Sequence, residues 1–286
     1  LVTGVQTCAL PILGLVNGII SAMISLAILP YFENIFKITT NQTLLELSNL
    51  NHPLLKRLMI NAPGTYQHSL MVANLAEAAA EAINANPILS RVGAYYHDIG
   101  KMKRPIFFTE NQFSGENPHN SLSPRMSKLI IASHTKDGIE LANKYKLPEV
   151  LKEFIVEHHG TTLVSFFYSR ALQNEEIKDD ASSQEQFRYP GPKPHFKESG
   201  ILMLADSVEA TVKSLEKPTI SKIESIIDKI IKDKLDDNQF DNCPLSLREI
   251  NQIRGAFIQT FKSILHSRLD YQEELQQIME QADGSS

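Results

Sequence analysis

The 286-residue sequence has no tryptophan and only two cysteines, Cys8 and Cys243. They lie far apart and form no CxxC motif. That argues against a disulfide framework or a thiolate zinc site and fits a reducing compartment. Basic residues are in deficit: 28 Lys and Arg stand against 33 Asp and Glu, a formal net charge of -5. The chain therefore lacks the basic footprint of a protein that binds duplex nucleic acid. A small anionic ligand stays open, because a local metal cluster can override net charge. No period-two alternation persists long enough for a strand, and no internal repeat is visible. What is present is ordinary globular composition, 42% hydrophobic and 21% charged.

Charge is also missing from the start of the chain, where Glu33 is the first charged side chain. Residues 12–29 are strongly apolar, interrupted only by Asn17, Ser21, Ser25 and two glycines, and reach the lower end of a bilayer span. A transmembrane helix is predicted over 13–32, leaving the membrane near Pro30-Tyr31-Phe32 with an aromatic pair at the interface. A signal peptide would start with a basic segment, which is absent; a buried helix is the other alternative. Lys37, Lys56 and Arg57 follow the span and favour a cytoplasmic location for the rest. Residues 1–12 resemble a translated sequencing adaptor and are expected to be non-native. The chain starts at Leu, as expected of a fragment from which earlier spans are missing.

Residues 33–61 read as a helical connector. Thr43 can cap a helix at 44–47, and Asn51 with Pro53 can start another at 54–59. Asn61-Ala62-Pro63-Gly64 is a break. One all-α domain is predicted over 62–275, a helical bundle, followed by a tail at 276–286. Its expected helices start at 65–83, with a small-residue face of Ala73, Ala76 and Ala80, and 87–98. Ser123 and Pro124 open a third, which reaches His134; 137–144 is a further short helix. Pro148 opens one that ends at His158-His159-Gly160. Helices at 163–173, 196–215, 220–235 and 246–279 follow, the last opened by a capping box from Ser246 to Glu249. Residues 103–122 read as loop, and 174–194 as a mobile, partly disordered surface excursion. Ile223, Ile226, Ile227, Ile230 and Ile231 form a helical stripe that suits a core or an interface, so a homo-oligomer stays open.

The chemistry centres on Tyr95-Tyr96-His97-Asp98-Ile99-Gly100-Lys101. A carboxylate beside an imidazole can bridge two ions while the imidazole takes one, a ligand set suited to Fe, Mn, Zn or Co. His68, His134, His158, His159 and Asp206 sit at helix ends or inward positions from which ligands can converge. Seven ligands exceed the needs of one ion. Two ions about 3.5–4 Å apart, bridged by Asp98 and a hydroxide, would use them all. Each residue has a plainer reading. His68 and His134 could be caps or solvated residues, His158-His159 a solvated helix end favoured by the dipole, and Asp206 a paired buried carboxylate.

The order His68, His97-Asp98, Asp206 resembles that of the HD-domain metal-dependent phosphohydrolases, and His134 and His158-His159 resemble the extra histidines of their binuclear subset. More narrowly, His97-Asp98-Ile99-Gly100-Lys101, Asn117-Pro118-His119, Ser133-His134-Thr135-Lys136-Asp137-Gly138 and Glu157-His158-His159-Gly160 resemble the seven-transmembrane HD family, whose known members hydrolyse cyclic di-AMP. The resemblance covers roughly 12–275. Gly160-Thr161-Thr162 stands where the related cyclic di-GMP enzymes carry Gly-Tyr-Pro, and one membrane helix stands where the family has seven.

The resemblance implies an HD-domain helical bundle behind a transmembrane helix, located at the cell membrane. It implies a phosphodiesterase that opens cyclic di-AMP to pApA with two divalent ions, Fe or Mn, and a bridging hydroxide. His68, His97, Asp98, His134, His158, His159 and Asp206 are the expected metal ligands. Asp98 and Lys101 are the expected catalytic residues, and Lys101, Arg104 and Arg125 the expected phosphate contacts. His119 reads as a solvated loop residue, and Tyr95 and Tyr96 as core. The competing readings are hydrolysis of another nucleotide, such as ppGpp or a nucleoside monophosphate, and a catalytically silent sensor.

Overall fold

A computed structural model describes residues 2–36, 38–112 and 115–283, without the side chains of 2–9, 30, 34 and 266–283. The side chains of Cys8 and of 276–283 in the predicted tail, and all of 284–286, therefore lie outside what is described. The chain divides into two compact units, Leu1–Thr43 and Leu44–Ser286.

The first unit is built on α1 (Val2–Phe36). Within it, the 24 residues Leu10–Glu33 are long and apolar enough to cross a membrane. Leu13, Leu15, Ile19, Met23 and Leu26 are all exposed. The helix runs on past Pro30, where an exit was expected, and Phe32 stacks on Phe36 one turn later with ring centroids 5.9 Å apart.

The second unit is all-α, with no strand among the described residues beyond an isolated Leu163–Arg188 bridge. It begins earlier than the expected boundary at 62. Leu44 of α2 (Asn41–Leu47) and Leu54, Leu55 and Leu58 of α3 (Pro53–Asn61) are at most 1% exposed. From Leu44 onward the predicted connector is thus part of the core; fully burying a leucine is worth about 1.5–3 kcal/mol. The central element is α4 (Pro63–Ala82). Its Ala73, Ala76, Ala79 and Ala80 are fully buried, and this smooth face lets α5 (Pro87–Tyr96) lie close against it. Asn86 caps α5 by accepting from Leu89 N–H, and Pro87 takes the first-turn position where no N–H is needed.

A 3₁₀ turn, Ile99–Lys103, follows α5 and packs on α6 (Pro124–Lys144). α6 is one helix rather than the two expected; Lys136-Asp137-Gly138 continues it without a break. The reason lies in packing. A Cβ on Gly100 would sit 1.9 Å from His134 O and 2.5 Å from Gly138 N, so the turn touches the α6 backbone directly. Then come α7 (Glu149–Glu157), α8 (Ser165–Gln173), α9 (Ala181–Gln186), α10 (Lys197–Lys213), α11 (Ile220–Asp236) and α12 (Leu247–Asp283). The expected capping box opens α12: Ser246 N–H donates to Glu249 Oε2 and Glu249 N–H to Ser246 Oγ.

Two expected loops are built rather than loose. Residues 103–122 contain the 3₁₀ turns Pro105–Phe107, Thr109–Asn111 and Pro118–Ser121. The expected excursion at 174–194 contains α9 and buries Phe187 in a small core with Phe167, Tyr168 and Ala171. Its polar composition hid one aromatic anchor. Ile223, Ile227 and Ile231 of α11 face the main core, so the isoleucine stripe is spent within the chain.

Gly100→Ala is expected to destabilise the body by about 1–3 kcal/mol or more, because backbone on both sides of the new methyl leaves no flexible neighbour to yield. Urea unfolding followed by circular dichroism measures it; an unchanged midpoint would contradict the close approach.

Candidate metal centre

All seven expected ligands meet inside the body. His68 lies in the second turn of α4; His97 caps the C-terminal end of α5, with Asp98 next. His134 sits in the middle of α6 rather than at a helix end, and His158 caps α7 with His159 following. Asp206 faces inward from α10. Their ligand atoms form two groups, His68/His97/Asp98/Asp206 and His134/His158/His159, each within 4.8 Å internally. Asp98 stands between them. Its Oδ2 lies 3.2 Å from His97 Nε2 and 3.7 Å from His68 Nε2. Its Oδ1 lies 3.4 Å from His134 Nε2 and 3.6 Å from His158 Nε2. Asp206 likewise reaches both ways, with Oδ1 2.9 Å from His68 Nε2 and Oδ2 3.6 Å from His159 Nδ1.

Backbone carbonyls set the tautomers. A carbonyl can only accept, so the nitrogen facing it carries the hydrogen. His97 Nδ1–H donates to Ala94 O at 2.7 Å and His134 Nδ1–H to Ile131 O at 2.6 Å. His158 Nδ1–H donates to Ile155 O at 3.0 Å. At His134 and His158, held neutral by burial, Nε2 is left with a lone pair aimed into the site, and His97 Nε2 faces the site as well. His68 Nδ1–H donates to the Glu209 carboxylate, the same device with a charged acceptor.

This arrangement is unsatisfied without a cation. His134 Nε2 and His158 Nε2 face each other at 3.1 Å, two lone pairs with no proton between them. His97 Nε2 and both oxygens of Asp98 are buried and accept or donate no hydrogen bond. Lys101 Nζ lies 2.7 Å from Asp98 Oδ2 but not in hydrogen-bonding orientation. Buried polar atoms left this way cost free energy unless they coordinate a metal. These imidazole and carboxylate groups fit divalent ions.

The electrostatics divide along the same line. Burial pushes the imidazolium pKa of His134 down, that of His158 down to about 3 and that of His159 well below the usual range. These three are neutral donors at neutral pH. Burial opposes charge on His68 and His97 too, but their carboxylate partners outweigh it. Asp206 and Glu209 raise His68 to about 9; Asp98 and Asp206 raise His97 to about 10. Burial likewise opposes ionisation of Asp98, yet His97 and Lys101 beside it hold its carboxyl well below the usual carboxylate range.

A cavity of about 450 Å³ opens onto this centre, lined among others by His68, Lys101, His134, His159, Tyr189 and Asp206. Lys101 Nζ sits between Asp98 and Glu110 Oε1, 2.9 Å away, so it is a fixed cation in the wall. The other two expected phosphate contacts do not line this cavity. Arg104 Nη1 instead pairs with Asp137 Oδ2 at 3.0 Å and Ser133 Oγ at 2.7 Å, and Arg125 is exposed at the start of α6. His119, expected in solvent, is 3% exposed and bonds Phe107 O at 2.9 Å, pinning the loop. Tyr96 is fully buried, as expected of core.

Sequence reasoning missed Glu209, Glu110, Tyr189 and Lys213, all in the cavity wall. Glu209 had a readable signal, since it lies one helical turn after Asp206 on the same face. Tyr189 had none: it comes from a turn-rich segment and reaches the site only through the fold.

The HD domain family profile matches residues 65–211. The chain is 48% identical over 271 residues to the "Cyclic-di-AMP phosphodiesterase PgpH" of Bacillus subtilis (strain 168), covering 95% of this chain and 38% of that protein. It is 47% identical over 259 residues to the protein of the same name from Listeria monocytogenes serotype 1/2a (strain 10403S), covering 90% and 35%. It thus spans little more than a third of the length of these curated relatives. The crystal structure of the L. monocytogenes PgpH HD domain in complex with cyclic-di-AMP superposes with a TM-score of 0.71 at 49% identity, covering 76% of this chain and 99% of that one. With more than half its length matched and a paired His and Asp at its buried centre, the chain belongs to the HD domain family.

Proposed function

We propose that this protein is a metal-dependent phosphodiesterase that hydrolyses cyclic di-AMP to linear pApA. The observation that carries the reading is the Asp98 carboxylate: buried, without a hydrogen bond, one oxygen toward each histidine group. That is what a residue bridging two cations requires. His68, His97, Asp98 and Asp206 would hold one ion; His134, His158 and His159, with the second oxygen of Asp98, would hold the other. Iron or manganese suits this imidazole-rich set. When bound, a pair of divalent ions supplies charge neutralisation at the attacked phosphate and a nucleophile at neutral pH.

The chain's own residues do the rest. Lys101, held between two carboxylates, keeps its proton and presents a compact cation to a nonbridging phosphate oxygen. Tyr189 and Phe108 supply aromatic faces in the cavity wall, which suit a substrate with two purines. The relative whose structure contains cyclic-di-AMP supports this choice of substrate. Leu10–Glu33 would anchor the chain in a membrane, with the body on the cytoplasmic side behind Lys37, Lys56 and Arg57.

Incubating the purified chain with Mn²⁺ and, in parallel, cyclic di-AMP, ppGpp and a nucleoside monophosphate tests the substrate. Conversion of cyclic di-AMP to pApA is expected to dominate, and no turnover of it with Mn²⁺ or Fe²⁺ would end the proposal. Asp98→Ala is expected to abolish turnover and to lower the bound metal. Lys101→Met is expected to keep the metal while kcat falls by about 10²-fold, as for loss of one preorganised transition-state donor.

Metal binding should also depend on pH with a defined sign. His68 at about 9 and His97 at about 10 hold protons at pH 7.5, and a metal ion must expel them. Affinity should therefore rise with pH up to about that range. Calorimetric titration in buffers of different ionisation enthalpy is expected to show net proton release; zero release would contradict the assignment.

A further inference from the structure

Four of the five histidines among the proposed ligands are fixed by hydrogen bonds already described, and His159 is not. His97, His134 and His158 are locked by carbonyls and His68 by Glu209. No hydrogen bond to either ring nitrogen of His159 is seen among the described residues. Its ring instead lies flat against Tyr189, centroids 4.1 Å apart and planes 27° apart. Apart from Asp206 Oδ2, 3.6 Å from its Nδ1, the direction of His159 depends on where two backbone segments are held: the turn that carries His159 and the segment that carries Tyr189.

Both segments are tied to one point at the C-terminal end of α11. Arg188 Nη1 and Nη2 donate to Asp237 Oδ2 and Oδ1 at 3.0 and 2.8 Å, a bidentate pair, and Nη1 also donates to Thr161 O at 2.8 Å. Gln239, fully buried, accepts from Thr161 N–H at 2.9 Å through Oε1. Its Nε2 donates to Thr161 Oγ1 at 3.0 Å and to Asp237 Oδ2 at 2.9 Å. Tyr189 N–H donates to Thr162 O at 2.9 Å, closing the two segments on each other. Gly160 completes the fit. Its φ is +52°, in the left-handed region, and a Cβ there would sit 2.3 Å from Gln239 Oε1.

We infer that Arg188, Asp237 and Gln239 form a clamp that positions His159, and that through it they set occupancy of the His134/His158/His159 metal site. This rests on the two-ion reading above. The three are positioning residues. None lines the cavity over the metal centre, and Arg188 and Asp237 instead line a separate cavity of about 370 Å³ with Ser207 and Lys234. The clamp also accounts for the 174–194 segment, in which α9 and the buried Phe187 deliver Arg188 and Tyr189 together.

The test uses the full chain in detergent and reads metal content by mass spectrometry and the Mn²⁺ spin-coupling signal by electron paramagnetic resonance. Asp237→Asn keeps the shape and removes the charge. At limiting Mn²⁺ it is expected to hold about one ion per chain instead of two, to lose the coupled-pair signal, and to bind the second ion about 10–100-fold more weakly, the usual cost of losing an outer partner. Excess Mn²⁺ should restore the pair, which a loss of folded protein would not allow. If Asp237→Asn does not fold, Tyr189→Phe and Tyr189→Ala decide: Phe keeps the stacked ring and should keep both ions, whereas Ala should lose one. Two ions bound at wild-type affinity in Asp237→Asn, or in Tyr189→Ala, overturn the clamp. Neither readout needs turnover. A wild-type chain that holds a coupled pair but leaves cyclic di-AMP intact refutes the substrate and leaves the clamp standing; fewer than two ions in the wild type overturns both.

Discussion

A carboxylate 1% exposed and without a hydrogen bond, Asp98, sets the terms for the whole body. Taking such a charge out of water costs several kcal/mol unless opposite charges surround it closely. Lys101 supplies one positive charge on the cavity side. The remaining compensation must come from the interior, where four imidazoles approach the two oxygens from α4, α5, α6 and α7. Helices that bring donors that close must pack with almost no side chain between them. The alanine face of α4 and the bare backbone contact of Gly100 with α6 meet that demand. Packing density and site geometry are here one constraint.

Orientation follows from how each ring is tethered. A histidine at or inside a helix finds the carbonyl three residues back at hydrogen-bonding distance. His97, His134 and His158 each use it. The hydrogen on each Nδ1 is therefore set by a contact within the local helix end or turn. His68 depends on a carboxylate 141 residues away, and His159 on a ring brought by a different segment. The centre thus has a locally determined side and a side that exists only once the chain has closed, and both reach the cavity, the first through His134 and the second through His68 and His159.

Much of the fold was readable because its signals are short-range. Proline and side-chain caps announced α3, α5, α6 and α12 within a residue or two, since capping depends only on neighbours in sequence. Boundaries failed where tertiary packing overrode local cues. Gly138 stays within α6 with its missing side chain leaving room for Ile155 of α7, and α3 joins the core because its leucines find α4. The segment 174–194 was misjudged because one buried residue, Phe187, outweighs a polar composition. Arg104 pairs with Asp137, because charge alone does not say which partner a long side chain reaches.

The order of residues along the chain already carries the helical class, the apolar stretch long enough for a bilayer, and seven His and Asp residues in an order matching the HD domain family. These are properties of side-chain chemistry and of spacing along one helix. Only the tertiary structure decided that Asp98 divides its oxygens between two histidine groups, that Glu209 backs His68, and that Tyr189 covers His159. Such pairings join residues separated by up to 141 positions. No local propensity encodes them; they follow from which helix faces must be buried together.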